Sequence, residues 1–133
     1  MDLVFGDAFY YFALVNVRDA AHSRAVALGS RCSTRIVTSA WVIQELADGW
    51  ASPRARAGFL RFWTALESDI YTEIVGPSEE LWERGRTLYR SRADQSWSLT
   101  DCISFEIMRD RGITDALTAD RHFQQAGFNA VLV

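Results

Sequence analysis

Four acidic side chains are placed along the chain where they could carry hydrolytic chemistry. Asp7 follows a short apolar stretch near the start of the chain, and Asp120 follows another near its end. Glu45 lies inside a predicted helix, two turns from its start, and Asp101 lies in the first turn of another. Carboxylate oxygens are hard ligands suited to Mg²⁺ or Mn²⁺, which can activate water and neutralise charge on a phosphate. Brought together by the fold, these four carboxylates would form a metal-dependent phosphodiesterase site.

Each of the four carboxylates also has a structural explanation. Asp7 could be a turn residue after a strand, and its position alone favours neither interpretation. For Glu45 taken alone, a solvated helix residue is the favoured interpretation. Ser98 and Asp101 have the N-cap and N3 spacing of a capping box, although Glu or Gln is the usual residue at N3. Asp120 could cap the short segment that follows it, so spacing alone does not decide among these roles.

Other kinds of active site find little support in the sequence. It contains no histidine–cysteine cluster, no glycine-rich phosphate loop and no nucleophile elbow. The two cysteines, Cys32 and Cys102, are too few and too far apart to suggest a disulfide framework or a zinc site. The four carboxylates are therefore the leading candidates for chemistry.

Length and composition indicate one folded domain over residues 1–133. Hydrophobic residues make up 49% of the chain and charged residues 23%, the balance of a globular protein. The apolar runs are far shorter than the roughly 20 residues of a membrane-spanning helix, and no export signal is visible, so we expect a cytoplasmic protein without membrane association. All 14 basic residues are arginine, and the net charge of -3 argues against a generally basic nucleic-acid coat without excluding a local basic surface.

The predicted strands alternate with predicted helices. Strands are expected over residues 2–5, 35–38, 70–75, 116–118 and 130–133. Helices are expected over 9–16, 19–28, 40–50, 55–66, 79–92 and 99–112, with Asp19, Ser39, Ser78 and Ser98 as N-caps, Pro53 opening the fourth, and Gly29 and Gly112 as ends. Strands linked by helices form βαβ units, which predicts an α/β fold with a parallel sheet covered on both faces. Function in such sheets gathers at the carboxyl ends of the strands.

Five segments, in order and over nearly the whole chain, resemble the PIN-domain family, in particular the small prokaryotic proteins that include the VapC-like toxins of toxin–antitoxin pairs. Four of them resemble the family's acidic motifs, and the segment 18–25 (RDAAHSRA) resembles its usual second helix. The acidic segments are 4–14 (VFGDAFYYFAL), 38–46 (TSAWVIQEL), 97–105 (WSLTDCISF) and 116–123 (ALTADRHF). One such motif would be a weak signal, but four in order at suitable separations are specific.

The resemblance implies a function as well as a fold. It implies that Asp7, Glu45, Asp101 and Asp120 form the acidic quartet of a Mg²⁺- or Mn²⁺-dependent ribonuclease, with the three aspartates as the main metal ligands. It also implies an αβα sandwich with a mainly parallel sheet, an RNA substrate, and a small antitoxin that holds the enzyme inactive. Ala8 departs from the family pattern, because the residue after the first aspartate is commonly Thr or Ser.

Two other functional classes compete with this interpretation. A PIN-fold module that binds RNA or protein, with cleavage weak or lost, would account for Ala8, whereas the intact quartet argues against it. A phosphoryl-accepting signalling domain of similar topology would fit an aspartate after the first strand. That class needs a lysine, and the chain has none.

The remaining polar candidates are assigned mainly structural roles. His122 could be a general base by residue type, but its place in the turn of residues 120–123 favours local packing. Ser98 and Thr118 could donate to the site aspartates, but capping and strand packing explain them equally well. The arginines of residues 84–92 are interpreted as a solvated helix face, with slight preference over an RNA-contacting edge; they are Arg84, Arg86, Arg90 and Arg92.

The aromatic residues suggest a subunit interface. The five tryptophans sit mostly at helical spacing with other apolar residues and are interpreted as core or interface residues, not as base-stacking platforms. The 17 aromatic side chains, which follow from 8 Phe, 5 Trp and 4 Tyr, exceed what a small core needs, so an exposed patch and a homodimer are predicted. The segments 59–66 and 82–89 are the candidate interfaces.

Overall fold

A five-stranded, wholly parallel sheet forms the centre of the computed structural model, which describes residues 3–31 and 34–133. The strands are β1 (Leu3–Gly6), β2 (Arg35–Ser39), β3 (Thr72–Val75), β4 (Asp115–Leu117) and β5 (Asn129–Ala130). Their order in the sheet is β3-β2-β1-β4-β5. The predicted parallel sheet is confirmed, and β1 lies at its centre beside β4, with Gly6 opposite Leu117.

Seven helices occupy the described part of the chain and cover the sheet. They are α1 (Ala8–Val15), α2 (His22–Gly29), α3 (Ala40–Gly49), α4 (Pro53–Ser68), α5 (Glu79–Ser91), α6 (Leu99–Arg111) and α7 (Arg121–Gln125). Because crossovers between parallel strands are right-handed, this strand order puts α1–α4 on one face and α5–α7 on the other. The result is the expected αβα sandwich. None of the helices described combines the length and the apolar character needed to cross a membrane.

Local capping signals explain where most of the helices begin. The hydroxyls of Ser39, Ser78 and Ser98 each accept a backbone hydrogen bond from the third helical residue, as predicted. Helix α4 begins at Pro53, behind a cap by Ser52. Helix α6 ends where Gly112 takes up a left-handed conformation with φ of 62°.

Several predicted boundaries are wrong by a few residues. Asp19 does not cap α2; its Oδ1 accepts the N–H of Ala21 at 2.8 Å, which forms a turn before the helix. Gly29 is the last residue of α2, not the residue beyond it. The last strand is Asn129–Ala130, earlier than the predicted 130–133. Asp2, the first residue of the first predicted strand, and Cys32 lie outside the described residues.

Aromatic side chains fill the core on both sides of the sheet. One group, on α1, α3 and α4, consists of Phe12, Trp50, Phe59, Phe62 and Trp63, with ring centroids 5.1–6.5 Å apart along the chain of contacts. The other consists of Phe5, Trp97, Phe105, Phe123 and Phe128. Trp97 is buried in the core, and Trp50 and Trp63 are partly buried and pack against it. Trp82 lies outside the core, since 41% of it is exposed.

Candidate active site

The carboxyl edge of the sheet gathers the predicted acidic residues. Asp7 follows β1 directly, and Asp120 stands just beyond the end of the neighbouring strand β4. Glu45 lies on α3, which leaves the end of β2, and Asp101 lies in the first turn of α6. The crossover topology therefore brings residues that are far apart in sequence to one edge.

Asp7 is a buried carboxylate with no capping role. It occupies the N-cap position of α1, but its side chain makes no capping hydrogen bond. Its Oδ2 instead accepts the hydroxyl of Thr118 at 2.9 Å. The pKa of Asp7 is raised to about 7, mainly by burial and also by the charges of Asp101 and Glu45, against the hydrogen bonds from Thr118 and the Ala8 N–H. The simple turn interpretation does not account for this placement.

Thr118 links two of the site aspartates. Its side chain is fully buried, and its hydroxyl accepts the backbone N–H of Asp120 at 3.0 Å while it donates to Asp7. One hydroxyl thus fixes the carboxylate after β1 relative to the backbone after β4. Of the two roles considered for Thr118, the donor role is the one the structure shows.

Asp101, Asp120 and His122 form the tightest cluster at this edge. One ligand atom from each lies within 4.8 Å of the others. His122 Nδ1 lies 3.0 Å from Asp101 Oδ2 and 3.4 Å from Asp120 Oδ1, and Asp120 Oδ1 also accepts the backbone N–H of His122 at 2.9 Å. The ring of His122 thus contacts two of the predicted site residues, which the preference for local packing did not anticipate.

Asp101 and Asp120 each combine a capping role with membership of this cluster. Asp101 and Ser98 form the predicted capping box, with Ser98 N–H donating to Asp101 Oδ2 at 3.1 Å and Asp101 N–H donating to Ser98 Oγ at 3.0 Å. Asp120 caps α7. Burial raises the pKa of Asp101, and the hydrogen bonds from Ser98 and His122 oppose that rise. The structural and the functional interpretations of these two residues are compatible.

Glu45 lies at the exposed margin of the site. Burial raises the pKa of its carboxyl, and the charges of Asp101, Asp120 and Asp48 raise it further. Glu45 lines one cleft together with Ser98, the N-cap of α6. It forms no hydrogen bond with the other three acids among the described contacts, and it is the most exposed of the four.

The arginines of α5 are only partly a solvated face. Arg84 donates to Glu106 at 3.0 Å and to Asp110 at 2.7 Å, which ties α5 to α6. Arg86 pairs with Glu83 on its own helix. Arg84 is thus a packing residue in the described structure, which the exposed-helix interpretation did not anticipate.

The donor set fits a hard divalent cation. An ion bound at roughly 2 Å has opposite ligands separated by about 4 Å, close to the spacing of the Asp101, Asp120 and His122 atoms. The raised pKa of the buried Asp7 carboxyl marks a place where negative charge is poorly solvated, and a cation would relieve that cost. Carboxylate oxygens suit a hard divalent cation, whereas imidazole nitrogens are common ligands of softer metals.

Comparisons with known proteins agree with this fold. A family model described as PIN domain matches residues 7–129. The 23S rRNA-specific endonuclease VapC20 of Mycobacterium tuberculosis, found in two strains, is 29% identical over 135 residues, which cover 95% of this chain and 95% of VapC20. The crystal structure of VapC20, described as a Sarcin-Ricin loop cleaving toxin, superposes with a TM-score of 0.80 at 26% identity over 94% of this chain and 95% of that one.

Proposed function

The chain belongs to the PIN domain family, and from that premise we propose that it is a divalent-metal-dependent endoribonuclease and the toxin of a toxin–antitoxin pair. The observation that carries the proposal is the cluster of Asp101, Asp120 and His122 at the carboxyl edge of the sheet, beside the buried Asp7 that Thr118 links to Asp120. The similarity to VapC20, a 23S rRNA-specific endonuclease, supports RNA as the substrate.

Asp7, Asp101 and Asp120 are the residues proposed to hold the metal, with His122 beside them. Mg²⁺ or Mn²⁺ would supply an activated water and would neutralise charge that builds on the scissile phosphate. The chemistry of the donors favours these two ions over softer metals.

The side chains of the chain itself would orient and carry protons. His122 and the Ser98 N–H hold Oδ2 of Asp101, which leaves its other oxygen available to the site. Thr118 holds Asp7 in the same way. Glu45, the exposed member, is placed to accept the proton that the attacking water loses. The water oxygen would bond to phosphorus as the bond to the leaving sugar oxygen breaks, and that oxygen would take up a proton from solvent.

Partners form the second part of the proposal. A small antitoxin is proposed because the chain resembles VapC toxins, and a cytoplasmic location follows from the RNA substrate. A homodimer is proposed because α4 and α5 present exposed aliphatic and aromatic side chains: Leu60 and Tyr89 are 52% and 53% exposed. Light scattering at tens of micromolar should give twice the chain mass, and a monomer would refute the dimer.

Incubation of the purified chain with RNA tests the proposed activity. RNA carrying the sarcin-ricin loop, the target of VapC20, is the first substrate to try. We expect internal cleavage in Mn²⁺ that Asp101→Asn largely abolishes. A folded wild type that cuts no RNA, including total bacterial RNA, would refute the nuclease. If such a protein still bound RNA, the binding module suggested by Ala8 would be the better description.

A further inference from the structure

A cleft beside the acidic cluster has the chemistry of a nucleobase site. It has a volume of about 300 Å³ and lies between one side of α3 and the N-terminal parts of α5 and α6. Trp41 on α3 and Trp82 on α5 contribute indole rings to its lining, and Gln44 and Asp48 contribute polar groups. Both tryptophans were predicted to be core or interface residues. A role in the core does not explain why they line an open cleft.

The cleft is continuous with the candidate active site. Glu45 lines it and is also one of the four acidic residues, and Ser98 lines it and also forms the capping box that holds Asp101. A single RNA strand with a phosphodiester at the acidic cluster carries a base on either side of that phosphate. One of these bases would therefore lie within reach of the cleft.

The aromatic surface suits stacking on a base. Trp82 is 41% exposed and lies outside the buried core of the described residues. Trp41 is half-buried and packed against that core, which fixes its ring. Aromatic side chains that are exposed yet held in place bind successive bases of single-stranded RNA by stacking, largely without regard to sequence.

The charges of the cleft favour a base over a phosphate. The ionisable groups that line it are the carboxylates of Glu45 and Asp48, which would repel a phosphate but accept hydrogen bonds from the amino groups of adenine, cytosine or guanine. We propose that this cleft binds the nucleobase adjacent to the scissile phosphate, with Trp82 as its stacking surface. The proposal deepens the proposed nuclease function and rests on it for the position of the phosphate.

Binding of RNA to Trp82 variants tests the proposal apart from catalysis. The probe is a short labelled single-stranded RNA of mixed sequence, titrated at low salt with Ca²⁺ in place of Mn²⁺, with anisotropy as the readout and gel analysis to show that the strand stays intact. We expect Trp82→Ala to weaken binding about 5- to 100-fold and Trp82→Phe to keep most of the affinity. A uracil-only strand should bind more weakly than a cytosine-only strand, because uracil has no amino group.

Tyr89→Ala is the matched control, because Tyr89 is 53% exposed on the same helix two turns away and lies outside the cleft. Its affinity for RNA should equal that of the wild type. Equal losses in Trp82→Ala and Tyr89→Ala would point to a subunit interface and overturn the base site. Wild-type affinity in Trp82→Ala, or no RNA binding by the wild type, would also overturn it. Failure of the wild type to cut RNA in Mn²⁺ would refute the nuclease, whatever the binding result.

Discussion

Replacement of Asp7 by asparagine separates a functional carboxylate from a structural one, because the two roles predict opposite changes in stability. Asp7 is 7% exposed. Burial raises the pKa of its carboxyl from 3.8 to about 7 in the folded protein. Asparagine keeps the size of the side chain and an oxygen that can accept the Thr118 hydroxyl, yet it carries no charge at any pH.

The sign and size of the effect follow from these pKa values. The folded protein keeps a proton on Asp7 over a pH range in which the unfolded chain has lost it. The stability that this proton contributes is fully present below the unfolded pKa and is lost as the pH rises through about 7. One pKa unit corresponds to about 1.4 kcal/mol. The rise from 3.8 to about 7 therefore removes about 4 kcal/mol from the free energy of unfolding once Asp7 is ionised. The free energy of unfolding of Asp7→Asn should therefore equal that of the wild type in acid. In mild alkali it should be higher than that of the wild type by up to about 4 kcal/mol.

Urea denaturation of both proteins in EDTA, in steps across this pH range, measures the difference in the free energy of unfolding. Asp94→Asn is the control, because a hydrogen bond from Arg92 lowers the pKa of the exposed Asp94 carboxyl; its stabilising contribution is lost as pH falls, so this variant gains nothing in alkali. Added Mn²⁺ should stabilise the wild type more than Asp7→Asn. An Asp7→Asn protein that is less stable than the wild type in alkali would show that the Asp7 charge does not destabilise the metal-free fold.

Substitutions at three further residues have distinct expected outcomes. Thr118→Val should lower the free energy of unfolding by about 1–3 kcal/mol in urea denaturation, because a buried acceptor and a buried N–H both lose their partner. Gly85→Ala should lower the free energy of unfolding by about 1–3 kcal/mol, since its new methyl group would overlap Ile103 where α5 crosses α6. Calorimetry of this variant should show an unchanged Mn²⁺ affinity. His122→Gln should weaken Mn²⁺ binding about 10- to 100-fold in the same calorimetric titration. His122→Asn, whose amide can replace Nδ1 toward Asp101, should lose less Mn²⁺ affinity. Equal Mn²⁺ affinities of the wild type and both variants would contradict a role of His122 in holding Asp101.

Local signals were sufficient to predict most of the fold. The serines at 39, 78 and 98 cap helices because each hydroxyl needs only an N–H three residues away, which the sequence itself supplies. Asp19 was misjudged because an aspartate can accept from the residue two positions on as readily as it can cap a helix. The last strand was placed too late, because the N–H groups of Val131 and Leu132 still bond to the β4 segment after the regular pairing has ended.

The site was harder to predict, because its contacts join residues that are far apart in the chain. Asp7 and Asp120 stood out by their position after apolar strands, and the parallel crossovers bring those strand ends together. The hydrogen bond between Thr118 and Asp7 spans 111 residues, and the contact between His122 and Asp101 depends on how α7 packs on α6. A histidine in a turn carries no spacing signal for such a contact. Its position two residues after Asp120 was the one available clue.

The rate of RNA cleavage during stepwise return of Mn²⁺ to metal-free protein shows whether these carboxylates form a metal-dependent nuclease site. We expect no cleavage in EDTA and recovery as Mn²⁺ is added to the wild type. At saturating Mn²⁺ the rate of Asp120→Asn should be lower by roughly 100-fold or more. Circular dichroism of both proteins should show the same fold. Cleavage that persists in EDTA, or an Asp120→Asn protein that cuts at the wild-type rate, would contradict a metal-dependent site built on these carboxylates.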